Sequence, residues 1–169
     1  MRIQKILVPT DFSTFADIAL DYALELAQSF EARVTLLHVY QLPLPALDER
    51  GVVLSEETVR TIETSARDGL AATLAEALLR WKGAPDAIEQ RLLAGAPHLS
   101  IVEEALRDGY DLIVMGTHGR TGIRHALIGS VAERVARTAP CPVLTVPGKL
   151  GALTGSDQQR KPSPERFAP

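Results

Sequence analysis

Short apolar runs alternate with long helical stripes along this chain of 169 residues, and that alternation constrains the fold most strongly. The clearest run, residues 112–115, contains no polar residue, which is typical of a parallel strand covered on both faces. Pro9 is expected to end the first run, because proline has no amide hydrogen for a strand ladder. The predicted strands are residues 6–8, 34–39, 88–93, 112–115 and 143–146.

Four amphipathic helices are predicted between the strands, and most of them have signals at their ends. Thr14 with Asp17 is typical of a capping box, and Ser55 before two acidic residues suits a helix start. Pro97 suits a first turn and Gly109 a C-terminal cap. Right-handed crossovers then give an α/β fold, an open parallel sheet with helices on both faces. The predicted stripe of the first helix is Ala19, Tyr22, Ala23, Leu26, Ala27 and Phe30, and that of the last is Val131, Val135 and Ala136.

Composition indicates one globular domain, with 46% apolar residues and a net charge of −3. We expect the domain to span residues 1–147 and residues 148–169 to form a flexible tail. The single cysteine, Cys141, excludes an internal disulfide and favours a reducing compartment. No charge-free stretch exceeds the fourteen residues 34–47, and no basic run is present. We therefore expect a cytoplasmic protein with no membrane segment and no nucleic-acid partner.

The loop after the fourth strand has the features of an anion site. It begins with Gly116 and Gly119 and closes with Gly129 and Ser130, and it holds Arg120. No acidic residue occurs from 112 to 132. Glycines let backbone amides approach an anion closely, and a helix N-terminus adds positive potential. Ligands of open α/β sheets bind beyond the carboxyl ends of the strands, so residues 9–11 would face the same ligand.

These residues also have purely structural explanations. Gly116 and Gly119 would be accounted for by a tight turn, and Ser130 with Glu133 fits a capping box. Asp11 would be accounted for by capping the first helix. The anion site is favoured because two loops meet at one edge of the sheet. The histidines and the cysteine show no metal-ligand spacing, so no metal site is predicted.

The spacing Gly116-x2-Gly119-x9-Gly129-Ser130, with residues 7–11 and 141–144, resembles the universal stress protein family. The similarity runs from about residue 2 to residue 146, and the full glycine spacing is similar to the ATP-binding branch. The resemblance implies an adenine nucleotide alpha hydrolase-like, Rossmann-like fold with five strands in the order 3-2-1-4-5. It also implies a homodimer through Val143–Val146, an outer apolar strand whose unpaired amides a twofold mate would satisfy.

The resemblance further implies which residues would hold an adenine nucleotide, namely ATP with or without Mg²⁺. Pro9, Thr10 and Asp11 would lie beside the adenosine, with Asp11 near the ribose or base. Val39 would contact the adenine through its backbone, and Met115 would lie beside the nucleotide. The phosphates would be surrounded by Gly116, Gly119, Gly129, Ser130 and Val131, with Arg120 as an added cation whose role the family pattern does not fix.

Three functions remain open on this basis. The favoured one is a homodimeric, ATP-binding stress-response regulator whose occupancy modulates its interactions with an unidentified protein partner. The second is a slow Mg²⁺-dependent ATPase using Ser130 and His118, and the third is a nucleotide-free protein-interaction module. The Walker lysine is absent and the phosphate loop has no carboxylate to orient water, so no catalytic residue is assigned. A dinucleotide oxidoreductase is disfavoured, because residues 9–11 replace the glycine-rich first turn.

Overall fold

The computed structural model describes residues 2–42, 55–81, 87–118 and 128–147. Within these ranges strands and helices alternate, as the sequence predicts. The strands are β1 (Lys5–Thr10), β2 (Arg33–Tyr40), β3 (Ile88–Ala94), β4 (Leu112–Gly116) and β5 (Val143–Val146). The helices are α1 (Thr14–Phe30), α2 (Glu56–Arg80), α3 (Pro97–Asp108) and α4 (Ser130–Thr138). The predicted tail, 148–169, lies outside the described residues, as do Gly119 and Arg120.

The five strands form one parallel sheet in the order β3-β2-β1-β4-β5, which confirms the predicted topology. β1 pairs with β2 from Lys5 to Thr10, but with β4 only at Ile6 and Leu7. The chain runs outward from β1 in both directions, so the strand order reverses between β1 and β4. Open α/β sheets bind their ligands at such a switch point.

Pro9 lies inside β1, which corrects the expectation that it ends the strand. It pairs in register with Leu37 of β2 and lies beyond Leu7, where the β1–β4 ladder stops. Since proline cannot donate to a ladder, its position fits the separation of β1 from β4 at this end.

Helices cover both faces of the sheet, as predicted. Ile6 and Val8 of β1 pack with α1 and α2, whereas Leu7 packs with α3 and α4. All three side chains are fully buried. This alternation gives each face of the sheet its own core. No helix in the described ranges is long and apolar enough to span a bilayer.

The helix ends agree with the sequence signals except at α1. Its N-cap is Ser13, whose hydroxyl accepts a hydrogen bond from the Ala16 amide at 3.3 Å, so the capping box at Thr14 and Asp17 is wrong. The caps at Ser55 and Gly109 are confirmed, as is Pro97 in the first turn of α3. Three members of the predicted stripes of α1 and α4 are exposed rather than buried, namely Tyr22, Phe30 and Ala136, and so is Leu106, which was predicted to belong to the stripe of α3.

Candidate functional site

A cavity of about 380 Å³ lies at the switch point, between the carboxyl ends of the strands and the first turns of α3 and α4. Nine of the eleven residues predicted for the nucleotide site line it, while Gly119 and Arg120 fall outside the described residues. The nine are Pro9, Thr10, Asp11, Val39, Met115, Gly116, Gly129, Ser130 and Val131. The structure thus brings four segments of the chain to one place, namely residues 9–11, 39, 115–116 and 129–131.

One wall of the cavity is apolar. Leu37 and Val39 come from β2, Ile101 from α3 and Met115 from β4, and all four side chains are buried. They belong to the core between the sheet and helices α3 and α4. A rigid apolar wall of this kind suits the flat face of an aromatic ring.

The loop after β1 places a carboxylate at the cavity. Asp11 accepts a hydrogen bond from the Ser13 amide at 3.1 Å, and Thr10 Oγ1 accepts one from the Phe12 amide at 3.0 Å. Since Ser13 is the N-cap of α1, the alternative that Asp11 caps this helix is wrong. Among the described lining residues Asp11 is the only acid.

The first turn of α4 forms the polar end of the cavity. Its N-cap is Gly129, and no side chain caps the helix, so the capping box at Ser130 and Glu133 is wrong. Ser130, Val131 and Ala132 line the cavity. The amides of a helix first turn have no carbonyl partner within the helix, and the helix dipole makes this end positive. An anion is the ligand that such an end favours.

Close packing explains two of the glycines. A Cβ on Gly116 would lie 2.9 Å from the Phe15 carbonyl oxygen, and one on Gly129 would lie 3.1 Å from that of Thr117. The Gly129 amide donates to the same Thr117 oxygen at 2.6 Å. Gly116 is therefore required by the close approach of α1 rather than by a tight turn. Gly129 in turn lets the start of α4 approach the end of β4.

Some lining residues were not assigned from the sequence. Gln41 follows β2, Pro97 and Ile101 come from α3, and Thr117 follows β4, whereas His118 was named only for the alternative of a slow ATPase. Their position in the sequence could have indicated them, because each of these segments starts at the carboxyl edge of the sheet. The Thr117 hydroxyl and His118 Nδ1 share a hydrogen bond of 2.9 Å. In the described part of the chain no group of three His, Cys, Asp or Glu side chains could hold a metal ion.

Several solved structures similar to this one are universal stress proteins. A protein from Lactobacillus plantarum, UspA, is 27% identical with a TM-score of 0.71, covering 86% of this chain and 99% of that one. An Archaeoglobus fulgidus protein in complex with dAMP is 27% identical with a TM-score of 0.58, covering 86% and 98%. A third, in complex with cAMP, is 29% identical with a TM-score of 0.54, again covering 86% and 98%.

The sequence comparisons agree with this likeness. Universal stress protein MJ0531 of Methanocaldococcus jannaschii is 38% identical over 148 residues, which is 85% of this chain and 81% of that protein. The model of the universal stress protein family matches residues 2–147. The chain therefore belongs to the universal stress protein family.

Proposed function

We propose that this protein binds ATP in the switch-point cavity and that nucleotide occupancy modulates its interactions with a protein partner. The observation that carries the proposal is the uncapped first turn of α4, which opens into the same cavity as Asp11 and the apolar wall. A polyphosphate, a sugar and a flat base each have matching chemistry there. Family members in complex with dAMP and cAMP support an adenine nucleotide as the ligand.

Each part of the ligand has a proposed contact. The adenine would lie against Val39 and Met115, and the Asp11 carboxylate would accept hydrogen bonds from the ribose. The amides at the start of α4 would donate to phosphate oxygens. The sequence places Gly119 and Arg120 in the loop between β4 and α4, where an arginine would add charge stabilisation for the outer phosphates.

Binding rather than hydrolysis follows from where the carboxylate lies. Phosphoryl transfer to water usually needs groups that orient the water and hold Mg²⁺ at the γ-phosphate. Asp11 follows β1 and is turned toward the Ser13 amide, whereas the anion-binding amides follow β4. The residues therefore support a role in which the bound nucleotide is a signal. A ligand shifts a protein between states only through different affinities for them, so the partner must distinguish the two forms.

We also propose that the protein acts in the cytoplasm as a homodimer paired through β5. The single cysteine supports a reducing compartment. The support for pairing is that β5 is an edge strand with apolar side chains. Such an edge leaves amides and carbonyls that a second copy satisfies.

Substitutions at Ser130 test the phosphate contact. Ser130→Asp places a negative charge on the first turn of α4, which suits the helix dipole but repels phosphate. We expect the affinity for ATP to fall by about tenfold or more. The affinity for adenosine should stay within about twofold of that of the unaltered protein. Isothermal titration calorimetry with both ligands measures this difference.

Ser130→Ala is the matched control, because it removes only a hydroxyl group that does not cap the helix. Its affinity for ATP is expected to stay within about threefold of the original protein. If the aspartate variant binds ATP as tightly as the alanine variant, the phosphates do not lie at α4. If the unaltered protein binds no ATP at millimolar concentration, the proposed function is wrong.

A further inference from the structure

Phe12, directly after Asp11, has an unusual backbone conformation. Its φ angle is +64°, in the left-handed region that residues other than glycine, asparagine and aspartate rarely adopt. Such a conformation persists only where the surrounding structure enforces it. The contacts of Phe12 therefore hold the backbone next to Asp11 in this conformation.

The Phe12 ring is held between β2 and α2. It stacks on the imidazole of His38 with a centroid separation of 4.1 Å and an interplanar angle of 30°. A Cβ on Gly69 would lie 3.0 Å from both Cε2 and Cζ of the ring. Glycine is unfavourable inside a helix, but because Gly69 has no side chain, the Phe12 ring fits against α2 at this position. We call Phe12, His38 and Gly69 the Phe12 stack.

His38 also holds the residue on the other side of Asp11. Its Nδ1 atom lies 2.7 Å from the carbonyl oxygen of Thr10. A carbonyl oxygen only accepts hydrogen bonds, so Nδ1 is the donor. Asp11 is thus fixed from both directions, through Thr10 before it and Phe12 after it.

The Phe12 stack lies on the face of the sheet away from the cavity. Leu37 and Val39 of β2 line the cavity, and successive strand residues point to opposite faces, so His38 points toward α2. Phe12 packs against the core on that same side. The backbone of residues 10–12 therefore connects the stack to the cavity.

We propose that the Phe12 stack positions the Asp11 carboxylate for the nucleoside, and so sets affinity for the adenosine part of the ligand from the opposite face of the sheet. This inference rests on the proposed nucleotide binding. Phe12, His38 and Gly69 are positioning residues that act through Asp11. The amides of α4 belong to a different loop, so affinity for free polyphosphate does not depend on the stack.

Two substitutions test the proposal, with adenosine and inorganic tripolyphosphate as separate probes in calorimetry. Gly69→Ala adds a Cβ that displaces the Phe12 ring, and His38→Leu removes the donor to Thr10. Each is expected to weaken adenosine binding by about five- to tenfold and to leave tripolyphosphate binding within about twofold. His38→Asn restores a donor near the position of Nδ1, so it should bind adenosine more tightly than His38→Leu.

Ala72→Gly is the matched control in α2, at an exposed position three residues beyond Gly69. It lowers helix propensity, whereas Gly69→Ala raises it. If affinity followed only the stability of α2, Ala72→Gly would weaken adenosine binding and Gly69→Ala would not. The proposal requires the opposite order.

A double substitution tests whether the stack acts through Asp11. In an Asp11→Asn background, Gly69→Ala should weaken adenosine binding by less than about twofold, because the two changes remove the same interaction. Unchanged adenosine affinity in both Gly69→Ala and His38→Leu would overturn the inference and leave nucleotide binding intact. Equal losses for adenosine and tripolyphosphate would also overturn it. Absence of binding to the unaltered protein would overturn the proposed function as well.

Discussion

Asp17 lies in the first turns of α1, and its surroundings disfavour its charge. Partial burial, followed by repulsion from Glu76, raises the pKa of the Asp17 carboxyl above its ordinary value, although Arg80 opposes this. An acid whose pKa is raised by folding destabilises the folded state when it is ionised. This penalty is present above the folded pKa and disappears as the pH falls through it toward the unfolded value.

We therefore expect Asp17→Asn to raise the Tm at pH 7.5 by about 1–2 °C and to change it less at pH 3.5. The effect is small because solvent screens much of the repulsion at a half-buried group. Thermal denaturation followed by circular dichroism at both pH values measures it. Asp21→Asn is the control, because Asp21 pairs with Arg80 at 3.0 Å and its loss should not stabilise the protein. A lower Tm for Asp17→Asn at pH 7.5 would contradict this reading.

At the residue scale, sequence signals locate helix ends better than they locate the capping side chain. Asp11, Ser13 and Thr14 are all competent caps within four positions, and only the backbone angles select Ser13. Ser130 fails as a cap because the chain enters α4 at Gly129 instead. The contact between Phe12 and Gly69 joins residues far apart in sequence, so no local pattern indicates it.

At the scale of elements, ion pairs tie α3 to the edge strand β3. Arg91 donates to Glu104 at 2.6 Å and to Asp108 at 2.9 Å, and Arg107 also donates to Glu104. Glu104 is completely buried. The hydrogen bond from Arg107, with Arg91 nearby, holds the pKa of Asp108 below its usual range. Because Pro97 and Ile101 of α3 line the cavity, this network also positions one of its walls.

Removing Arg91 from this network of ion pairs should destabilise the folded protein. Arg91→Met leaves the buried Glu104 carboxylate with one cationic partner, and we expect the free energy of unfolding to fall by about 3 kcal/mol. Arg67→Met is the matched control, because its pair with Glu63 on α2 is exposed and worth less than about 1 kcal/mol. Urea denaturation of both variants measures the difference. Equal losses would show that the buried network does not stabilise the fold.

The strands were predicted more accurately than the faces of the helices. A short apolar run has few alternatives, so the strand limits were mostly extended by a residue or two. The stripe of α1 was wrong at Tyr22 and Phe30, where the structure buries Leu20 and Leu24 instead. Apolar residues surround much of this helix, so period alone does not select the buried side.

At the scale of the whole molecule, the two edges of the sheet differ. The β3 edge carries the exposed residues Glu89 and Gln90, and a charged side chain discourages pairing with another strand. β5 is four residues long, its Leu144 side chain is 38% exposed, and no charge interrupts it. This contrast favours β5 as the edge that would meet a second copy.

Leu144→Lys should convert the proposed dimer into a monomer, because it places a charge in the centre of the pairing strand. Size-exclusion chromatography with light scattering measures the mass. Leu79→Lys is the matched control, since Leu79 is 88% exposed and lies on α2, which packs against β2 and β3. It should leave the mass unchanged. A dimeric Leu144→Lys variant would exclude β5 as the interface.

The alternation of strands and helices was enough to predict an open parallel sheet, because right-handed crossovers leave few other arrangements, whereas the strand order 3-2-1-4-5 came from the resemblance to the family. The same rule placed the ends of β1 and β4 at one edge, which is why most predicted site residues meet there. The contributions of α3 and the depth of the apolar wall could not be predicted, since they depend on how the helices pack.

Pro9 has a consequence for how quickly any ligand enters. Its ring replaces the amide hydrogen just beyond the point where the β1–β4 ladder stops, so this residue cannot extend the ladder whether or not a ligand is bound. Because the two strands are already separated at this end, a ligand does not have to separate them on binding, and the free-energy cost of binding is lower. We therefore expect diffusion and charge to set the association rate of a ligand. The dissociation rate then reports the strength of its contacts with the protein.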